Sequence, residues 1–150
     1  MKAVYMERHG GPEVLTYGEV REPQIGPGEV RIRVRACALN RLDLYTRAGL
    51  RGTTINFDGP HVLGADVSGE IVEMGSNVSD FNAGDIVSGE GHVVCGRCRN
   101  CFAGRRHLCA DTKGIGVNRP GAFAEYIALP MTNVWKHSAD INRDMAALFD

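Results

Sequence analysis

Four cysteines stand within fifteen residues of this sequence and are its feature best suited to chemistry. They follow the pattern C-x2-C-x2-C-x7-C, at Cys95, Cys98, Cys101 and Cys109. Two-residue gaps bring neighbouring thiolates onto one ion, and the longer gap lets the last cysteine complete a tetrahedron. Because four thiolates leave no open position for substrate or water, the pattern predicts a structural zinc site.

The residues around the cysteines agree with this prediction. Gly96 follows the first cysteine, where a backbone without Cβ can turn tightly and aim its N–H groups at sulfur. One zinc ion with four thiolates carries a net charge of about −2. Four arginines close by in sequence can offset that charge: Arg97, Arg99, Arg105 and Arg106.

Two other uses of four cysteines fit the sequence less well. The bacterial ferredoxin pattern has a three-residue last gap followed by Cys-Pro, whereas here the gap is seven residues and Ala110 follows. A disulfide framework suits secreted chains with an even cysteine count, but this chain has five cysteines and no apolar signal core at its start. We therefore expect a reduced, cytoplasmic setting, with Cys37 as a small buried side chain.

Length and composition are those of one folded domain. A chain of 150 residues buries about two-thirds of its unfolded surface, which is enough for a real core. The formal net charge of −1 argues against general affinity for nucleic acid. No apolar run approaches the length of a membrane span. We expect neither a nucleic-acid nor a membrane partner.

Glycine content and alternation predict a mainly β fold with short helices. The chain has 19 glycines and six prolines, which favours many tight turns. In residues 29–38, Val30, Ile32 and Val34 share one face of a strand, with arginines on the other. We expect strands at 3–6, 29–38, 64–73 and 121–129, a helix at 40–48 ended by Gly49, and the start of a helix at 138–148.

Several motifs together resemble the zinc-containing medium-chain alcohol dehydrogenase superfamily. They are Gly64-Ala-Asp66-Val-Ser-Gly69, Gly84-Asp85 and Gly121-Ala-Phe-Ala-Glu-Tyr126, combined with the cysteine spacing. More narrowly, residues 88–150 resemble the L-threonine 3-dehydrogenase family, whereas residues 1–86 resemble bacterial alcohol or quinone dehydrogenases. A hybrid or recombined gene is one interpretation that the sequence leaves open.

This resemblance implies a fold and a division of labour. Residues 1–150 are expected to form a GroES-like, partly open β-barrel that carries the substrate and zinc sites, with a zinc lobe at about 91–115. In the family a Rossmann domain follows and binds NAD or NADP. We expect that domain to be absent from residues 1–150 and no cofactor-binding residue to lie in them, since Gly114-Ile-Gly116 does not continue as G-x-G-x-x-G. The resemblance also implies a small-molecule alcohol or carbonyl substrate and a homo-oligomer as one arrangement of the whole protein.

The family's second, catalytic zinc needs three protein ligands, and this sequence departs from that pattern. Aligned on Asp43, Asn40 stands where the family has a cysteine ligand, and Leu42 stands where it has a hydroxyl proton relay. Ala65 replaces the histidine ligand of Gly-His-Glu. Because tight zinc sites use nitrogen or sulfur donors, we expect the catalytic zinc to be absent. Asp43 itself is expected to cap the short helix.

Three residues remain as candidates for catalysis. Asp66 takes the place of the family's glutamate, and Asp150 matches its acidic third ligand position. His92 lies in Gly-Glu-Gly-His, which the resemblance places near the cleft, where it would orient substrate or shuttle a proton or else simply pack beside the lobe. His61 has two interpretations, a substitute zinc ligand or, as we expect, a side chain at a strand end or in solvent. His9 and His137 are expected at the surface.

Three functions are consistent with these residues. The first is the substrate- and zinc-binding domain of a nicotinamide-dependent alcohol or L-threonine dehydrogenase-like oxidoreductase, inactive alone. The second is a domain of a quinone-reductase-like enzyme without catalytic zinc. The third is a zinc-stabilised scaffold without chemistry. Whether residues 1–150 are themselves an enzyme stays open at this point.

Overall fold

The computed structural model describes residues 1–148, and strands outnumber helices in this range. The strands are β1 (Lys2–Met6), β2 (Thr16–Glu19), β3 (Glu29–Ala36), β4 (His61–Val62), β5 (Val67–Met74), β6 (Ile86–Gly89), β7 (His92–Val93), β8 (Lys113–Gly114), β9 (Tyr126–Pro130) and β10 (Val134–Lys136). The α-helices are α1 (Arg41–Ala48), α2 (Arg99–Phe102) and α3 (Arg143–Ala146). The predicted mainly β fold with short helices is confirmed.

Three antiparallel sheets make up the fold within residues 1–148. The largest has the strand order β10-β6-β5-β3-β9, and a second has the order β2-β1-β4. The pair β7-β8 forms the root of the cysteine lobe. A bridge between Ala3 and Ala124 links the first two sheets, so together they curve into a partly open barrel.

The predicted alternation in β3 places its apolar side chains in the core. Val30 and Ile32 are fully buried, because β3 lies between β5 and β9. These two residues belong to a cluster whose other buried members are Val67, Ile71, Val87, Val93, Ile115, Ala122, Ile127, Leu129 and Val134. A smaller cluster beneath β1 contains Met6, Val14 and Leu63.

Several element boundaries differ from the sequence-based expectation. The strand expected from residue 64 begins at Val67, because Gly64 has a φ of +99° and breaks extended geometry. Residues 121–123 instead donate N–H bonds to carbonyls of residues 62–64, so β9 begins only at Tyr126. The helix expected from 138 is only α3, whose N-cap is Asn142.

No helix within residues 1–148 is both long and apolar enough to span a membrane.

The close approach of the paired strands β3 and β5 at Gly69 yields a stability prediction. A Cβ on Gly69 would strike the Arg33 carbonyl oxygen and lie 2.7 Å from Ile32 Cγ2. Gly69→Ala should therefore lower the free energy of unfolding in urea by roughly 2–3 kcal/mol. Gly28→Ala is the matched control, because a Cβ there meets nothing within 4 Å. Equal stability of the two variants would contradict this packing.

Candidate metal centre

The four cysteine side chains converge. Their sulfur atoms lie within 4.8 Å of one another, with Cys98 and Cys101 at 3.5 Å and Cys95 and Cys109 at 3.6 Å. Sulfur atoms about 2.3 Å from a tetrahedral zinc ion lie about 3.8 Å apart, whereas a disulfide requires about 2.05 Å. All of these cysteines are free. The cluster therefore suits structural zinc.

Short local elements aim these side chains. Cys95 follows β7, and Gly96 then adopts a φ of +70°, the tight turn expected after the first cysteine. Cys98 is the N-cap residue of α2, and Cys101 lies one turn later within it. Cys109 ends a 3₁₀ turn (Arg106–Leu108) that returns the chain to the other cysteines.

Backbone N–H groups surround the sulfur atoms. Backbone N–H groups, of which that of Cys101 has the largest effect, lower the pKa of the Cys98 thiol to about 6. The N–H groups of Cys95 and Asp111 each lie 3.4 Å from Cys109 Sγ and lower the pKa of that thiol. Burial, followed by hydrogen bonding among the thiols, raises the pKa of Cys101 to about 12. A coordinated cation deprotonates such thiols outright, so the cluster is prepared for a divalent metal.

The lobe has almost no apolar core of its own. Neither α2 nor the 3₁₀ turn after it buries a residue. Phe102 is 80% exposed and Leu108 is 53% exposed. In such a segment a structural metal supplies folding energy directly, so we expect the lobe to depend on a bound ion.

Asn133 ties the lobe to the large sheet, and the sequence pattern did not single it out. Its buried side-chain amide donates to the Glu90 carbonyl at 3.2 Å and to the His92 carbonyl at 2.9 Å. Its partners are 41 and 43 residues away, so no local motif could have indicated it. This amide fixes where the lobe leaves the barrel.

Asn40 and Asp43 form a helix cap. The Asn40 Oδ1 accepts the Leu42 N–H at 3.1 Å, and Asp43 Oδ2 accepts the Asn40 N–H at 2.8 Å. The other Asp43 oxygen accepts the Gly64 N–H at 3.0 Å. Burial raises the pKa of Asp43, although the two N–H donors oppose this effect. The predicted capping role of Asp43 is confirmed, and its carboxylate also joins α1 to the segment that carries Ala65.

Of the two acidic candidates for catalysis, the structure describes Asp66 but not Asp150. Ala65 is buried and offers no ligand atom, and the half-buried Asp66 follows it directly before β5. Burial raises the pKa of the Cys37 thiol to about 12, and the charges of Asp43 and Asp66 add to this effect. Cys37 packs against the main core, as expected of a small apolar side chain. Asp150 lies outside the described residues.

His92 points away from the barrel core. Its side chain is 66% exposed, and Nδ1 lies 3.2 Å from Glu90 Oε1. The same oxygen accepts the His92 N–H at 2.8 Å. The ring is thus oriented by Glu90 at the root of the lobe, and its role in proton transfer stays a prediction.

Three other histidines are more deeply placed than the sequence suggested. His61 lies in β4, but its ring is half-buried and bonds the Gly116 carbonyl at 3.0 Å, and burial lowers its pKa. His137 Nε2 lies 2.8 Å from the buried Ser88 Oγ. His9 bonds backbone groups of α1 and of the following loop. His9 and His137, expected at the surface, are half-buried, because side-chain or backbone partners distant in sequence hold their rings.

Within residues 1–148, the four cysteines are the one group of three or more metal-ligating side chains brought together. Asp66, His61 and His92 do not assemble a second such group in that range. The absence of a catalytic zinc remains a prediction, because Asp150 is not included.

This geometry agrees with the comparisons to known proteins. Residues 26–139 match the model of the alcohol dehydrogenase GroES-like domain. The chain therefore belongs to this family, the N-terminal domain of zinc-containing medium-chain alcohol dehydrogenases. A solved NAD-dependent alcohol dehydrogenase superposes with a TM-score of 0.92 at 41% identity, covering 98% of this chain and 42% of that one. The predicted GroES-like fold is confirmed.

The curated relatives that match this chain include L-threonine 3-dehydrogenases. The L-threonine 3-dehydrogenase of Solibacter usitatus is 57% identical over 132 residues, covering 88% of this chain and 39% of that enzyme. That of Streptomyces avermitilis is 53% identical over 150 residues, covering 100% of this chain and 43% of the enzyme. The chain thus spans about two-fifths of these relatives. Because the second aligns throughout, the two resemblances in the sequence do not require two parents.

Replacement of one cysteine tests the metal centre. Cys98→Ser should lose the zinc that we expect at one equivalent per chain, as measured by mass spectrometry of metals. The lobe should also become open to trypsin at its exposed arginines, since structural zinc contributes roughly 10–16 kcal/mol of apparent binding energy in small domains.

The fifth cysteine provides the matched control. Cys37→Ala should keep its zinc, because Cys37 lies outside the cluster. Unchanged zinc in Cys98→Ser, or equal loss in both variants, would show that the cysteines do not hold the ion.

Proposed function

We propose that residues 1–150 are the substrate- and zinc-binding domain of a nicotinamide-dependent oxidoreductase of the alcohol or L-threonine dehydrogenase type. Similarity to L-threonine 3-dehydrogenases over the whole chain at 53% identity carries this proposal. The parent protein acts on a small alcohol or carbonyl compound, works in the cytoplasm and associates with copies of itself. Residues 1–150 are inactive alone, because NAD or NADP binds to the remainder of the protein.

In this proposal Cys95, Cys98, Cys101 and Cys109 hold one structural zinc. Spacing between the sulfur atoms and the lack of a lobe core support this role. The ion keeps residues 91–115 folded beside the barrel and takes no part in the reaction.

Alcohol oxidation removes a hydride from carbon and a proton from oxygen. The nicotinamide accepts the hydride when it is bound, and the domain must accept or relay the proton. Asp66 is the first candidate, since its carboxylate lies half-buried directly after the family's ligand position. His92 is the second, because Glu90 orients an exposed imidazole there, and Asp150 is the third. Imidazole suits proton transfer near neutral pH.

A specific observation favours a second candidate function. Asn40 and Ala65 replace two zinc ligands of the family, and Asn40 is engaged as a helix cap. A quinone-reductase-like parent needs no catalytic metal, because hydride passes directly from the reduced nicotinamide to the acceptor. A zinc-stabilised scaffold without chemistry is the third alternative, and only activity of the whole protein separates it from the others.

Zinc content of the full-length protein tests whether a catalytic metal is present. One zinc per chain, absent from Cys98→Ser, is the expected result and agrees with metal-free hydride transfer. Two zinc ions per chain, one of them surviving Cys98→Ser and lost in Asp66→Asn, would establish a catalytic metal and overturn our expectation.

Cofactor binding tests whether NAD or NADP binds outside residues 1–150. Calorimetric titration of residues 1–150 with NAD and with NADP should show no binding, because no phosphate-binding glycine motif opens a helix in them. The full-length protein is the positive control. Micromolar binding to the isolated residues would place the cofactor site within this domain and contradict the proposal.

A further inference from the structure

His9 connects helix α1 to the segment of residues 50–58, which we call the pocket loop. Its Nδ1 lies 2.9 Å from the Thr46 carbonyl oxygen and 3.3 Å from that of Arg47. On the other side of the ring, Nε2 lies 2.9 Å from the backbone nitrogen of Ile55. One imidazole thus spans two elements that are 37 and 46 residues away in sequence.

These partners fix the protonation state of the ring. A carbonyl oxygen can only accept, so Nδ1 carries a hydrogen and donates it. A backbone N–H can only donate, so Nε2 must be unprotonated and accept the hydrogen bond from the Ile55 N–H. The bridge therefore requires neutral His9 in its Nδ1–H form. A second proton on Nε2 would place two donors face to face.

The Ile55 bond is an important tether of the pocket loop. Leu50, Thr53 and Thr54 bond only within the loop or to the end of α1. Across 55–60, the Ile55 N–H makes the one backbone hydrogen bond found to other described residues. Loss of this bond leaves apolar contacts alone to hold this stretch.

The tethered stretch is one wall of a cavity. Ile55 and Phe57 pack against the small core cluster and line a cavity of about 410 Å³, opposite residues 117–120. The Phe57 ring lies between two imidazoles, with ring centroids 4.9 Å from His9 and 6.5 Å from His61. Movement of Ile55 away from His9 would therefore reshape this cavity.

Charges of both signs face His9 at the end of α1. The Thr46 and Arg47 carbonyls end α1, where the helix dipole favours a cation. Arg47 itself donates from Nε to the Gly10 carbonyl, and Arg8 precedes His9 in the chain. The Glu13 carboxylate carries the opposite charge. Backbone N–H donors lower its pKa most, and the charges of Arg47 and Arg8 lower it further.

The other imidazole on Phe57 is less suited to gain a proton. Burial lowers the pKa of His61, and the charge of His9 adds to this effect. A proton on Nε2 of His9 leaves the Nδ1–H bonds to α1 in place and removes the acceptor of the Ile55 N–H.

We propose that His9 is a proton-operated latch, which holds the pocket loop closed when neutral and releases it when protonated. The latched state binds one proton fewer than the released state, so the latch weakens as pH falls. This inference concerns the domain itself and does not depend on the parent's substrate.

Amide hydrogen exchange, measured by NMR on the zinc-loaded domain, tests the latch. Between about pH 8 and about pH 5.5, the protection factor of Ile55, corrected for intrinsic exchange, should fall roughly tenfold or more. The amides of Val30 and Ile32 in β3 serve as internal controls and should keep their protection. At the higher pH, ring ¹⁵N shifts should show His9 protonated on Nδ1 only.

Two variants test whether the pH-dependent change in Ile55 protection depends on His9 or on His61. His9→Gln keeps one acceptor and one donor but does not titrate, so the step in Ile55 protection should disappear. His61→Gln should keep the step. Equal Ile55 protection at both pH values in the wild-type domain, an Nε2–H ring, or a step that survives in His9→Gln would overturn the latch. The ring shifts are measured on the wild-type protein, so the test holds even where a variant fails to fold.

Discussion

Convergence of four cysteine thiols is the constraint on which the segment between Val93 and Ile115 depends. Its helix α2 and the 3₁₀ turn after it bury no side chain, so its chain path is set by the cysteines and by β7-β8. The Asn133 amide then fixes the root of the lobe against the large sheet. Residues on both sides of the lobe, Val93 and Ile115, enter the main core. A metal held by the four cysteines would thus stabilise a connection of the barrel as well as a surface excursion.

A buried carboxylate organises another part of the domain. Asp43 closes the first turn of α1 and also accepts the Gly64 N–H. These two bonds keep Asn40 and Ala65 on adjacent segments. Neither residue carries the thiolate or imidazole that the resemblance implies for a catalytic zinc site, and the absence of that zinc stays a prediction.

Local patterns predicted the features that depend on neighbouring residues. The cysteine spacing indicated the cluster, the alternation in residues 29–38 indicated β3, and Asn40 with Gly49 marked both ends of α1. Features that depend on distant partners were missed. His9 was expected at the surface because Thr46 and Ile55 are far away in sequence, and β9 began later than expected because residues 121–123 pair with the turn at Gly64.

Cobalt titration of the metal-free domain tests the central claim most directly. Tetrahedral Co²⁺ with four thiolates gives intense visible bands and a thiolate charge-transfer band, whereas oxygen-rich six-coordinate Co²⁺ absorbs weakly. The structure predicts that these intense bands rise to saturation at one equivalent and vanish when zinc is added. Weak bands, or intense bands that require more than one equivalent, would contradict a single four-cysteine site.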